Sequence, residues 1–467
     1  MSVAPWVDEV MQVDAGVNLY LGKGWVSTAW QSQSQHEFWA ANNPLYTLLI
    51  YFWIHIVGFS PVAVRSLNYV LVLVIAWLIV DASRRMNLVQ SIWARILLGA
   101  LLISNQAVTF VYRSGRADLV TMFVVVLLFW IYAAVKRSPQ RSVLLFLCSM
   151  LILASGLHAI PYLTLLLGLE YVFAKNIRFA ELRAIGSGCL AGSLALAGLF
   201  FFKHALRSYL YQTFVSGYNI VGSGLQAALI RDRVAIDRFL TQLKALSPVS
   251  VLQTITHDAS ALLLMLFLLS LAIRFWRFKQ SKVWSVSCFG VCAAVVIPYG
   301  MLAAGRYAFY YAWMGAAPVA VAFSMSIEQC WLARKRPLVL GGLLAGIASI
   351  ALGMPLEVWR EVRRADPGAY QSVERLLRQE TQPGDEVYGD PVLYYAAKAS
   401  NISFFSTSYS GGRGYRRMED KERLRISVLI VPPEQITESF EKLGGVWIQY
   451  HAYELPYGFS VIVCKRK

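Results

Sequence analysis

Charge is scarce in this chain. Only 15% of its 467 residues are Asp, Glu, Lys or Arg, while 57% are apolar and the mean hydropathy is +0.51. That balance excludes a soluble enzyme of this size and reads as a polytopic α-helical membrane protein. Cysteine is sparse as well. Cys148, Cys189, Cys288, Cys292 and Cys330 lie in or beside apolar runs and Cys464 in the polar tail, so neither a disulfide framework nor a metal-binding spacing emerges. Cys288 and Cys292, one helical turn apart, read as small packing residues. The first forty residues hold no apolar run long enough for a signal peptide. The net charge of +16 would point to nucleic acid in a soluble domain. Here Lys and Arg cluster in short loops between apolar runs, where membrane orientation explains them, so no nucleic-acid partner is expected.

Counting those loops gives a topology. Arg84 and Arg85, then Lys136, Arg137 and Arg141, then Lys175, Arg178 and Arg183, then Arg274, Arg277, Lys279 and Lys282, then Arg334, Lys335 and Arg336 mark every second loop as cytoplasmic. About ten spans are expected, near 62–82, 91–111, 117–135, 142–157, 158–174, 184–203, 260–275, 284–304, 307–328 and 337–355. The fourth and fifth are short, about 16 residues against the usual ~20. Three regions follow: a first outer loop at 1–61, a transmembrane domain at 62–355 with a long outer loop at 204–259, and an outer-face soluble domain at 356–467. An outer amino terminus without a signal leads us to expect a further transmembrane helix upstream.

Within the first region, Leu45 to Phe59 is aromatic, apolar and only about fifteen residues long, which reads as an interfacial helix. In the tail, Tyr370–Gln379 and Glu434–Leu443 read as helices, while the stretch from Gly384 to Tyr388, Ile426–Val431 and Phe459–Val463 read as strands. A small α/β domain is expected there. It has no Gly-rich phosphate loop and no histidine cluster, and Gly411-Gly412-Arg413-Gly414 reads as a flexible loop. Asn401-Ile402-Ser403 fits a glycosylation sequon.

Two acidic stretches carry the chemistry. Asp8-Glu9 stands where a helix start favours ionised carboxylates, and Arg113-Ser114-Gly115-Arg116-Ala117-Asp118 lies on the same expected face, directly before a span. An acid at a membrane mouth is costly unless hydrated, paired or functional, and Arg113 and Arg116 beside it suit a phosphate headgroup. Gly305-Arg306-Tyr307 puts another Arg at the outer end of a span. Glycosyl transfer from a lipid phosphate needs these groups: a carboxylate base for the acceptor hydroxyl and fixed positive charge for the departing phosphate.

Pro5-Trp6-Val7-Asp8-Glu9, Asn43-Pro44-Leu45-Tyr46, the run from Ile56 to Arg65, Arg116-Ala117-Asp118 and Gly305-Arg306-Tyr307 with Pro318 follow one another in an order that resembles the type C (GT-C) membrane glycosyltransferases. The nearest likeness is to the bacterial protein O-mannosyltransferase and lipid A aminoarabinose transferase superfamily. The resemblance implies an inverting transferase on the outer face of the bacterial inner membrane. Its donor would be a polyprenyl-phosphate-linked sugar, and its acceptor a lipopolysaccharide or other glycan, a lipid or a protein of the cell envelope. It implies Asp8 as base, Glu9 as its motif neighbour, Asp118 as the second acid, and Arg306 and Tyr307 near the lipid phosphate. Relatives of the aminoarabinose enzyme carry Lys where this chain has Asn43, so that donor is not indicated. No cofactor is certain, and two separated acids leave a divalent metal open. A flippase for lipid-linked glycans, or an O-antigen ligase or polymerase-like protein, is the competing expectation. The first should show ionisable groups inside the bilayer and broken helices or internal repeats. The transferase needs Asp8, Asp118 and Arg306 to converge.

Overall fold

The computed structural model describes residues 5–30, 33–41, 43–173, 177–210, 258–278, 282–303, 309–364, 368–410, 420–455 and 459–467, with the single residues 240 and 249. Arg306, Tyr307, the loop 411–414 and nearly all of the expected 204–259 loop lie outside them.

Two helices precede the first long span. Helix α1 (Val7–Tyr20) presents Val10, Val13 and Val17 to the core, all fully buried, and α2 (Pro44–Val57) packs against it, entered through Pro44 at its first turn. The spans expected from hydropathy then follow as α3 (Pro61–Arg85), α4 (Ile92–Ser104), α5 (Gln106–Arg113), α6 (Asp118–Ala134), α7 (Pro139–Met150), α8 (Ile152–Ser155), α9 (Ala159–Phe173) and α10 (Phe179–Phe202). Beyond them come α11 (Ala259–Arg274), α12 (Lys282–Ala303), α13 (Trp313–Leu332) and α14 (Arg336–Leu352).

The expected span 91–111 is not one straight helix. It breaks at Asn105, where α4 and α5 meet at 56°. The Asn105 side chain accepts from Val108 N and so caps α5, which starts a new helix in place of continuing the old one. The hairpin expected at 142–174 is also interrupted, at Gly156 between α8 and α9.

Among the described residues, three helical runs are long and apolar enough to cross a membrane alone: α3, α10 and Arg336–Arg363. The bent α4–α5 pair makes a fourth, and shorter apolar helices of 10–17 residues, α6 and α11 among them, accompany these. The chain is a multi-pass membrane protein. Its lipid-facing sides are legible in exposed apolar stripes: Leu340, Leu344 and Ile347 on α14, and Leu190, Leu194 and Phe201 on α10. Helix α3 carries Arg65 near one end and Arg84 and Arg85 at the other, some 30 Å apart at helical rise. The second end is tied to Asp81, which also accepts from Trp130.

After α14, helix α15 (Met354–Arg364) leads into a small α/β domain built on α16 (Ala369–Glu380), α17 (Tyr394–Ala399) and α18 (Ile436–Leu443). Its five strands are β1 (Glu386–Gly389), β2 (Ser403–Ser406), β3 (Ile426–Val431), β4 (Trp447–Leu455) and β5 (Phe459–Arg466), in the order β2-β1-β3-β5-β4. The β1–β2 and β1–β3 pairs are parallel; β3–β5 and β4–β5 are antiparallel, with Leu429 opposite Cys464. The run Ile-Ser-Val-Leu-Ile-Val in β3 is buried almost throughout, as a central strand covered on both faces should be. Strands β2 and β4 carry weaker patterns that the sequence left unread.

Helix α17 belongs to the crossover from β1 to β2, and it docks on α1. Lys398 Nζ lies 3.0 Å from Asp14 Oδ1 and 2.7 Å from Asn18 Oδ1, and Tyr394 donates to Asp14 Oδ1 at 2.9 Å. The other Asp14 oxygen accepts from Ser27 Oγ and from the Thr28 and Ala29 amides. Burial pushes the Asp14 pKa up, but Lys398 and the Ser27 and Thr28 donors outweigh it and hold it below the ordinary 3.8.

Lys398→Met strands a buried carboxylate and is expected to cost about 3–5 kcal/mol in thermal unfolding of the full chain. Arg378→Met, which breaks the exposed Arg378–Glu374 pair, should change stability by less than about 0.5 kcal/mol. Because the Asp14 pKa is depressed, the contribution of this pair is complete above the ordinary Asp range and is lost only as pH falls below it. Equal melting shifts for the two variants would refute the assignment.

Candidate functional site

Helix α1 has two polar stripes beside its apolar one. Asp8 and Gln12, four residues apart, face the loop 114–118; Asp14 and Asn18, again four apart, face α17. The first stripe builds the candidate site. Asp8 Oδ2 accepts from Arg116 Nη1 at 2.5 Å, and Arg116 Nε donates to Asp118 Oδ2 at 2.6 Å. One guanidinium therefore joins the two acidic stretches, with Asp8 from α1 on one side and Asp118, the first residue of α6, on the other. The Asp8 side chain is 32% exposed, whereas Arg116 and Asp118 are each at 3%. Asp8 is thus the member of the trio that meets solvent.

Glu9 is placed differently. It is fully buried, its Oε1 accepting from Arg65 Nε at 2.7 Å and from Tyr395 at 2.7 Å, its Oε2 from Arg65 Nη2 at 2.6 Å and the Trp6 amide at 3.5 Å. This bidentate pair fixes the first turn of α1 against α3. Burial, and then the charge of Glu9, hold the Tyr395 phenol well above its ordinary pKa, so it stays a donor. Arg113 is also placed apart from the trio: it pairs with Glu361 of α15.

The loop that carries Arg116 is pinned from below. Tyr46 donates to Gly115 O at 2.6 Å, Asn68 Nδ2 to Arg116 O at 2.8 Å, and the Ala117 amide to Gln12 Oε1 at 2.7 Å. Gly115 has φ +65°, and a Cβ there would lie 3.0 Å from Glu9 Oε1. Above the guanidinium, the Trp6 ring is 5.2 Å and the Tyr311 ring 5.9 Å from its carbon. His158, immediately before α9, lies against Tyr311 with ring centroids 4.7 Å apart and planes tilted by 34°, and its Nδ1 is 3.9 Å from Asp118 Oδ1.

Asp8 and Asp118, two of the three groups expected to converge, meet at Arg116, while the third, Arg306, lies outside the described residues; Glu9 and Arg113 stand beside them in separate ion pairs. Arg306 and Tyr307 lie outside the described residues; Tyr311 is the described aromatic nearest to them in the chain that reaches Arg116. Among the described residues no group of three or more His, Cys, Asp or Glu side chains assembles to hold a metal ion. Sequence reasoning gave no role to Arg65, Tyr395, Gln12, Asn68 or His158. Arg65 alone had a usable signal, as an ionisable residue inside an apolar helix. The other four are single polar residues whose partners lie far away in the chain.

No family model matches the chain, and no curated protein matches it. Among solved structures it is similar to ArnT from Cupriavidus metallidurans in the apo state, with a TM-score of 0.48 and 12% identity over 99% of this chain and 94% of that one. The same protein bound to undecaprenyl phosphate gives a TM-score of 0.43 and 12% identity over 98% and 93%. An Archaeoglobus fulgidus oligosaccharyltransferase in the apo form gives 0.49 and 10% over 95% and 67%.

Gly115→Ala is expected to cost roughly 1–2 kcal/mol for a side chain at positive φ, and more because its methyl group would press on Glu9. Gly22→Ala supplies the comparison, since Gly22 has φ +74° with nothing within 4 Å of an added Cβ. A larger loss of thermal stability at 115 than at 22 is the expected result, and equal losses would mean that Glu9 is not fixed against the loop.

Proposed function

We propose that this chain is a membrane glycosyltransferase of the GT-C type. In this reading it transfers a sugar from a polyprenyl-phosphate donor to a hydroxyl acceptor at the outer face of a bacterial inner membrane. The observation that carries the reading is the Asp8–Arg116–Asp118 trio: a partly exposed carboxylate joined through one buried guanidinium to a second acid at the start of a membrane helix. The motif order in the sequence supports it from a separate direction.

The chemistry runs as an inverting displacement. The acceptor oxygen attacks the anomeric carbon from the side opposite the phosphate, the carbon–oxygen bond to phosphate breaks, and that electron pair leaves with the phosphate. Asp8 takes the acceptor proton, a role suited to the one acid of the trio that solvent reaches. Asp118 orients Arg116, and the amino ends of α1 and α6 add partial positive charge where negative charge builds. Glu9 acts here as a positioning residue, holding the turn that carries Asp8, and Arg113 holds the loop to α15. Arg306 and Tyr307 remain assigned to the lipid phosphate on the resemblance alone. The acceptor is left at its class: glycan, lipid or protein. A flippase would have no need for an exposed carboxylate held beside a buried guanidinium, so the trio favours transfer over transport.

Membranes expressing the chain should move labelled sugar from a polyprenyl-phosphate donor to an acceptor. Asp8→Asn should lower that transfer by about 10²-fold or more at unchanged expression. Transfer that survives the substitution removes Asp8 as base and, with it, the reading.

A further inference from the structure

Among the described residues, the site holds more negative charge than positive. Asp8 and Asp118 share Arg116, and the neighbouring cations are in pairs of their own: Arg65 with Glu9, Arg113 with Glu361, Lys398 with Asp14. A departing phosphate would add to that excess. One guanidinium already shared by two carboxylates is a weak counter-charge for it, because each carboxylate offsets part of its field.

We propose that His158, as imidazolium, is a cation of the site beside Arg116 and holds the phosphate of the lipid carrier. The proposal rests on the transferase reading for its ligand and on geometry for its residue. His158 Nδ1 lies 3.9 Å from Asp118 Oδ1, and its ring lies 4.7 Å from that of Tyr311, which is itself within 5.9 Å of the Arg116 guanidinium. The side chain is 16% exposed, open enough to meet a ligand and enclosed enough for its charge to count. It also precedes the first residue of α9, a 15-residue helix, so the amino end of that helix and an imidazolium favour an anion at the same place. Among the described residues, the groups facing it include Asp118 from α6, Arg116 from the loop before α6, with Asp8 of α1 behind that guanidinium, and the Tyr311 phenol from the turn Phe309–Ala312. The Asp118 carboxylate supports the charged form of the ring, and Arg116 opposes it.

The sign of the expected pH effect separates His158 from the fixed cations. A phosphate monoester gains charge as pH rises through about 6, so on its own it should bind Arg116 more tightly at higher pH. An imidazolium does the reverse, being lost as pH rises through the histidine range.

The test is binding of sugar-free polyprenyl phosphate to the purified full chain at about pH 5.5 and pH 8.5, either side of the ordinary histidine value. Wild type should bind about tenfold more weakly at the higher pH. His158→Gln should bind weakly at both, and His158→Lys tightly at both, with melting temperatures checking that each variant folds. A wild-type profile that His158→Gln leaves unchanged overturns the proposal, as does an absence of carrier binding to wild type. The two readings fail separately. Sugar transfer by wild type with carrier binding indifferent to residue 158 removes His158 and keeps the transferase. Carrier binding that follows the charge at 158 without any transfer keeps the phosphate site and removes the transferase.

Discussion

The position of Arg116 between Asp8 and Asp118 is the constraint on which the rest of the site depends. A guanidinium at 3% exposure is tolerable only with its charge matched, and matching it draws α1 onto the start of α6. Every polar contact around the loop 114–118 serves that placement: Tyr46 and Asn68 hold its carbonyls and Gln12 holds its amide. The buried Glu9–Arg65 pair does for α1 and α3 what Arg116 does for α1 and α6. Two adjacent residues thus have opposite fates, because successive side chains on a helix point about 100° apart. Glu9 faces the packed interior of the bundle, and Asp8 faces the opening.

The small α/β domain is part of this construction as much as the membrane helices are. Its crossover helix α17 puts Tyr395 on Glu9 and Tyr394 and Lys398 on Asp14, so Glu9 and the Asp14–Asn18 stripe of α1 rest on the α/β domain. Read from its residues, that domain carries no chemistry of its own. In the structure it holds α1 in place through Tyr394, Tyr395 and Lys398.

The helical architecture was legible because hydropathy and basic-loop alternation report directly on the bilayer. Strands β1, β3 and β5 were legible from compact apolar runs such as Ile426–Val431. The break at Asn105 was not read, because the short polar step Ser104-Asn105-Gln106 was counted inside one span, and it is the capping of Val108 by the Asn105 side chain that turns this step into a new helix start. At the site, Asp8 and Asp118 could be placed on one face in advance because two short motifs each put charge at a helix mouth, but Arg116 was read as a phosphate ligand and not as the link between them. Arg113 was read with Arg116 because they are neighbours in sequence; its partner Glu361 lies in an amphipathic helix far down the chain. Tyr395 and Lys398 were illegible for the same reason. A lone Tyr or Lys in a polar domain carries no mark of a partner hundreds of residues away.

That distance has a consequence for how the molecule is made. Asp14 waits for Tyr394 across 380 residues, and Glu9 waits for Tyr395 across 386. During synthesis the first helix therefore emerges long before Lys398, which neutralises Asp14, exists, although Arg65, the cation that pairs with Glu9, follows it closely. Contacts of such separation form late and slowly. The bundle is laid into the bilayer first, and α1 is fastened to its last partners only when the final domain folds back upon the beginning of the chain. An unfinished copy thus inserts with Asp14 lacking Lys398.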